Sequence, residues 1–195
     1  EGLDSLGTDR PVLAVRVDTH TAVVNGPGET AVGSGPVLLE DAVERALRLA
    51  NPPPEDMARA LDRARMDAYA LGITTVTDFT RSGFTHLSGR VRQGRWDLRL
   101  VWHPVHGMLS HLEQLGLATG MGGVLRVGGV KLFADGSVGA RTAAFSSPYA
   151  SGGQGLLSHH PSAMAHLVSR ASDLGLQTLV HAIGDRANRM VLDVL

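Results

Sequence analysis

From residue 52 onward the chain alternates between two spacings of apolar residues, and each alternation predicts one helix followed by one strand. Pro52-Pro53-Pro54-Glu55-Asp56 reads as a helix start with acids in the first turn; Met57, Leu61, Ala64, Ala68 and Leu71 then recur at helical spacing until Gly72 stops the run. Ile73 to Phe79 follows as a β-branched strand. A polar helix over about 85–93 leads to a strand from Leu98 to His103, and a third helix over about 108–117 leads to a strand from Leu125 to Phe133. The next unit repeats the theme. Met164, Leu167, Val168, Ala171 and Leu174 share one helix face, Gly175 ends it, Leu176 to His181 is the strand, and a last helix opens near Arg186.

Strands that read as near-continuous apolar runs between helices predict a parallel sheet covered on its faces, so the fold class is α/β. Four such strands do not decide between an open sheet and a closed barrel. Residues 1–50 break the rhythm: Pro11 to Val17 predicts a strand, Gly26 to Gly35 a loop and Leu38 to Leu49 a helix. They are expected to form a small lobe or insertion segment, with 51–195 carrying the βα repeat.

Composition narrows the chemistry. At 195 residues, 43% hydrophobic and net charge -1, the chain reads as an ordinary domain with one substantial core. Its 18 basic residues are scattered among 19 acidic ones, which argues against a nucleic-acid partner. No apolar run approaches the ~20 residues of a membrane span, and no signal peptide is visible; a cytoplasmic location is the expectation. With no cysteine, any transition metal must be held by histidine, carboxylate or a modified side chain.

One lysine, Lys131, stands among those 18 basic residues, inside the apolar run Gly128-Gly129-Val130-Lys131-Leu132-Phe133-Ala134-Asp135-Gly136. Desolvation disfavours a charged amine and makes it able to act as a nucleophile or base, which arginine cannot do; the alternative is a survivor of arginine-for-lysine replacement that snorkels from a strand. Sites in parallel α/β folds gather at the C-terminal ends of strands. Lys131 lies on one such strand with Asp135 to Arg141 directly after it, and His181 ends the next, followed by Ala182-Ile183-Gly184-Asp185. Strands ~4.8 Å apart put the two side chains within reach of a shared ion or substrate. His103, His106 and His111 are irregularly spaced around Pro104 and read as a solvated loop. His159 and His160 precede Pro161 and read as helix-entry residues. The stretch from Gly123 to Lys131 lacks the Gly-Lys-Ser/Thr ending of a phosphate loop.

The block Val130 to Ala143, then Pro148-Tyr149, then Val180-His181-Ala182-Ile183-Gly184-Asp185-Arg186 resembles the amidohydrolase superfamily, in the amidohydrolase-3 branch of YtcJ-like proteins and N-substituted formamide deformylases. Gly72 to Asp78 and Arg16 to Asn25 are similar to two earlier blocks of that branch, in the same order, although the branch more often has glycine where this chain has Thr19. The resemblance implies part of a (β/α)8 TIM barrel, about its second to fifth strands, with an N-terminal insertion segment. It implies one or two divalent ions, usually zinc, activating a water for attack on a small amide-type substrate. Lys131 matches the fourth-strand ligand, which in the family is often carboxylated, and His181 the fifth. His20 lies in a segment similar to one that approaches the active site in the family and is a substrate-binding candidate, the alternative being a loop histidine. Asp135 and Arg141 follow the metal-ligand strand and are candidates to bind substrate or orient the loop, the alternative being an ion pair or a turn-forming Asp before Gly136. No His-x-His pair occurs and no residue matches the eighth-strand general base, so the catalytic residue is unassigned. The expectation is a fragment, inactive alone and prone to self-association, of a hydrolase of non-peptide C–N bonds. A Schiff-base lysine enzyme and a non-catalytic binding or structural module are the alternatives.

Overall fold

Asn25 caps a helix that glycine content alone argues against. A computed structural model describes residues 2–17, 19–50, 52–79 and 83–195; Asp18, within one of the family-like blocks, lies outside them. The Gly26 to Gly35 stretch, expected to be a loop, is helical over Gly26–Val32 (α1). The Asn25 side chain accepts from the Gly28 N–H at 3.0 Å, Pro27 pre-sets the first turn, and Gly33 ends the helix at φ 69°. A β-carbon on Gly28 would come within 2.8 Å of the Val24 side chain, so glycine is required by packing here.

That helix belongs to the first of two compact units, made of Glu1–Pro54, Asp135–Leu157 and Ile183–Ala187. Its sheet is antiparallel, with β1 (Leu13–Val15), β2 (Thr21–Val24) and β3 (Val37–Leu39) in that order and Thr21 paired with Leu39. The expected single helix from Leu38 to Leu49 is corrected: Leu38 pairs with Ala22 as a strand residue and only Asp41–Leu49 (α2) is helical. Leu38 is wholly buried against Ala22, Val24, Val43 and Ala46, and that tertiary burial outweighs its helical spacing.

The second unit, Glu55–Ala134, Ser158–Ala182 and Asn188–Leu195, carries the βα repeat. The helix α3 (Pro54–Ala70) precedes β4 (Thr75–Asp78), α4 (Gly83–Arg92) precedes β5 (Arg99–Trp102), and α5 (Leu109–Gln114) precedes β6 (Leu125–Val127) and β7 (Val130–Phe133). Then α6 (Pro161–Asp173) precedes β8 (Thr178–His181), and α7 (Asp185–Val194) follows. The pairings β4 with β5, β5 with β6 and β7 with β8 are all parallel. A parallel bridge from Val105 to Lys131, with the Lys131 N–H donating to the Pro104 carbonyl at 2.8 Å, carries the order across from the β5 segment to β7. Trp102, Leu98, Leu100, Leu109, Leu112, Val130 and Ala171 form the core of this unit.

The expected strand from Leu125 to Phe133 is divided at Gly128-Gly129. A β-carbon on Gly128 would overlap the His103 ring, and one on Gly129 would overlap Leu179 and the Gln177 backbone. The chain is pinched between its two neighbours at the point where the ladder breaks.

Candidate functional site

In the β7–β8 register Lys131 faces Leu179 and Phe133 faces His181. Side chains two apart on a strand share a face, so Lys131 and His181 lie diagonally on the same face of the parallel pair. Phe133 stands between them. Its ring centroid is 4.7 Å from Lys131 Nζ and 5.5 Å from the His181 ring, and Phe79 approaches Nζ from another side at 5.3 Å. The amine is half-buried, and its burial pulls the pKa below the usual lysine range. The ring faces favour the charged form.

His103, expected in a solvated loop, is instead buried, with 8% of its surface exposed. Its ring stacks on Phe79 at 5.0 Å, and its Nδ1 accepts from the Gly129 N–H at 2.8 Å. Burial lowers its pKa, the Gly129 carbonyl oxygen, 3.1 Å from Nδ1, acts the other way, and the nearby Lys131 charge lowers it further. His103, Phe79, Lys131, Phe133 and His181 thus form one continuous set of contacts in the second unit. Nothing local in the sequence marks His103 as buried; the signal is Gly128, placed where a ring from the neighbouring strand needs room. His106 and His159 meet edge to face at 5.0 Å, and His160 caps α6, its ring accepting from the Ser162 N–H.

The other residues expected to bind substrate lie in the first unit. The Asp135 side chain, 2% exposed, accepts from the Ala144 and Gly184 N–H groups at 2.8 Å and from the Ile183 N–H at 2.9 Å. It therefore ties together two loop segments that follow β7 and β8 in sequence. Arg141 is exposed, and its N–H closes a turn on the Val138 carbonyl at 3.0 Å. His20 Nδ1 lies 2.8 Å from Glu40 Oε2, and Thr142 donates its hydroxyl to Glu40 Oε1 at 2.5 Å. Glu40 and Thr142 were not anticipated from sequence, because 102 residues separate them.

As a donor set for a metal, Lys131 and His181 offer two groups: an amine whose pKa burial lowers, and an imidazole on the same face. Among the described residues no group of three or more His, Asp or Glu side chains could hold an ion without further ligands.

Curated proteins and solved structures are similar to this chain over nearly all of its length. YtcJ of Bacillus subtilis (strain 168), named as an amidohydrolase, is 28% identical over 226 residues, covering 99% of this chain and 42% of its own length. LONG AFTER FAR-RED 3 of Arabidopsis thaliana is 29% identical, covering 98% of this chain and 39% of its own. Among solved structures, an uncharacterised metal-dependent hydrolase of Pyrococcus furiosus superposes with a TM-score of 0.76 at 31% identity, over 98% of this chain and 44% of that one. Another, from Pyrococcus horikoshii OT3, gives 0.77 at 29% identity, over 97% and 42%. The chain thus spans about two fifths of the length of these relatives. The profile of the amidohydrolase family matches residues 1–195, and the chain belongs to that family.

Proposed function

We propose that this chain contributes the second to fifth strands of a (β/α)8 barrel in a metal-dependent hydrolase of non-peptide C–N bonds, and that the 195 residues are inactive by themselves. The observation that carries the reading is the placement of Lys131 and His181 on one face of β7 and β8 in a member of the amidohydrolase family. Two solved relatives named as metal-dependent hydrolases support it.

In this reading burial beside Phe79 and Phe133 lowers the Lys131 pKa and so raises the share of neutral amine. A neutral amine adds its lone pair to carbon dioxide and releases a proton, giving an anionic two-oxygen carbamate that arginine cannot form. Lys131 as carbamate and His181 through its ring nitrogen would hold a divalent ion, zinc by the family pattern. When bound, that ion supplies Lewis acidity toward a small amide-type substrate and its attacking water. His20 and Arg141 would meet the substrate, Arg141 through an anionic group, and Asp135 would act on it through the loops it orders. Exposed Leu71, Leu115 and Leu192, at 78%, 70% and 72%, support self-association of the isolated chain. Among the described residues no helix is long and apolar enough to cross a membrane.

Metal analysis of the full-length protein tests the proposal. Bound divalent metal that is lost in both Lys131→Ala and Lys131→Arg supports it, and full metal content in Lys131→Arg overturns the carbamate role. The desolvated amine also suits a Schiff-base nucleophile; borohydride trapping of a carbonyl compound on Lys131 in metal-free protein would favour that second reading.

A further inference from the structure

Asn25 is followed by Gly26, whereas the chain's other asparagines, Asn51 and Asn188, precede Pro52 and Arg189. An asparagine side chain loses ammonia when the backbone nitrogen of the next residue attacks its Cγ and closes a five-membered succinimide. Glycine favours that closure because it has no β-carbon to hinder it. Proline has no N–H to give up, and an arginine side chain crowds the attack. By sequence, Asn25 is therefore the residue of this chain most open to deamidation.

The fold opposes each part of that reaction. Asn25 is 1% exposed, which keeps water from Cγ. Its Oδ1 accepts from the Val12 N–H at 2.8 Å and the Gly28 N–H at 3.0 Å, and its Nδ2, the leaving group, donates to the Arg10 carbonyl at 2.9 Å. The attacking atom is held as well, since the Gly26 N–H donates to Asp4 Oδ1 at 2.7 Å. The Asn25 backbone is extended, at φ -81° and ψ 174°, which turns the Gly26 nitrogen away from the Cβ it must eclipse for the ring to close. Two of the three side-chain partners, Arg10 and Val12, lead into β1, a three-residue strand at the edge of the antiparallel sheet. Short edge strands open locally at a free energy below that of global unfolding. Peeling β1 away frees the amide from Arg10 and Val12 and admits water.

We propose that Asn25-Gly26 is a latent deamidation site, locked in the folded first unit and released when β1 opens. The Gly26 N–H gives its proton to hydroxide, its nitrogen bonds to Asn25 Cγ, and the Cγ–Nδ2 bond breaks, ammonia leaving with the electron pair and a proton taken from water. Water then adds across one succinimide carbonyl and leaves aspartate or isoaspartate. Either product removes the lock. Aspartate sets a carboxylate oxygen against the Arg10 carbonyl, two acceptors with no hydrogen between them, and isoaspartate adds a methylene to the backbone at the cap of α1. An opening that reaches the succinimide thus disables the lobe irreversibly. None of this depends on Lys131 or on the hydrolase reading.

Peptide mapping by mass spectrometry of the 195-residue chain, aged at mildly alkaline pH, tests this through the rate at which residue 25 exchanges its side-chain amine for a hydroxyl. The urea-unfolded chain is expected to convert at residue 25 at least about tenfold faster than the native chain. Asp4→Ala, which frees the Gly26 N–H, is expected to convert about threefold faster than native, and Asp4→Asn, which keeps an acceptor oxygen, at close to the native rate. Asn25→Asp, one of the two products, is expected to unfold at a lower urea concentration than native. Conversion of the native chain at the urea-unfolded rate overturns the lock, and equal rates in Asp4→Ala and native overturn the part of Asp4 in it. A native urea midpoint in Asn25→Asp overturns the loss of the lobe. If Asn25→Asp fails to fold, the rate comparisons still decide the lock, because they leave residue 25 unsubstituted.

Discussion

The imidazole of His103 occupies the space that a side chain on Gly128 would need, and its Nδ1 accepts from the N–H of the next residue, Gly129, at 2.8 Å. One ring thereby sets the point where the strand carrying Lys131 is interrupted, and its stacking partner Phe79 reaches the Lys131 amine. Adding a methyl group at residue 128 must displace a buried ring or the strand. Gly128→Ala is expected to destabilise the chain by about 1–3 kcal/mol, read as a lowered urea midpoint; an unchanged midpoint would show that the ring shifts freely.

Burial holds His103 below its ordinary pKa of 6.5. The folded chain therefore keeps the ring neutral where the unfolded chain takes up a proton, so stability declines as pH falls through the interval below 6.5 and is fully present above it. Urea midpoints at pH 7.5 and pH 5.5, chosen as ~1 unit either side of that value, are expected to differ more for the native chain than for His103→Asn, which cannot titrate. Equal pH dependence in the two would contradict the burial of the neutral ring.

Asp135 satisfies three backbone N–H groups from two separate loop segments. Asp135→Ala leaves those donors without an acceptor and is expected to cost about 3 kcal/mol or more, with protease cleavage appearing first near 142–146 and 182–185. Asp135→Asn, which keeps one acceptor oxygen, should fall between the two. Native-like protease resistance in Asp135→Ala would show that the loops are held by other contacts.

Thr19 stands at φ 60°, where the family more often has glycine. Replacing it removes the left-handed penalty, partly offset by the greater entropy of glycine in the unfolded chain. Thr19→Gly is expected to raise stability by up to ~1 kcal/mol, measured by thermal or urea unfolding. A loss of stability would mean that the threonine side chain makes a compensating contact.

The amino-acid sequence by itself determined what short-range physics controls. Helical spacing in Met57 to Leu71 and Met164 to Leu174, with Gly72 and Gly175 at their ends, located α3 and α6, and the β-branched and apolar runs between helices located the parallel strands. The family-like blocks marked Lys131 and His181, and the register of β7 and β8 set them on one face. Tertiary structure decided the rest. Leu38 is a strand residue because Ala22 and Val43 bury it, and α1 forms because one asparagine side chain caps it. His103 is buried because a glycine on another strand leaves room for its ring. Glu40 joins His20 to Thr142 across 20 and 102 residues of chain. Periodicity and capping act within a few residues of sequence, whereas burial and side-chain hydrogen bonding depend on which distant segments the fold brings together.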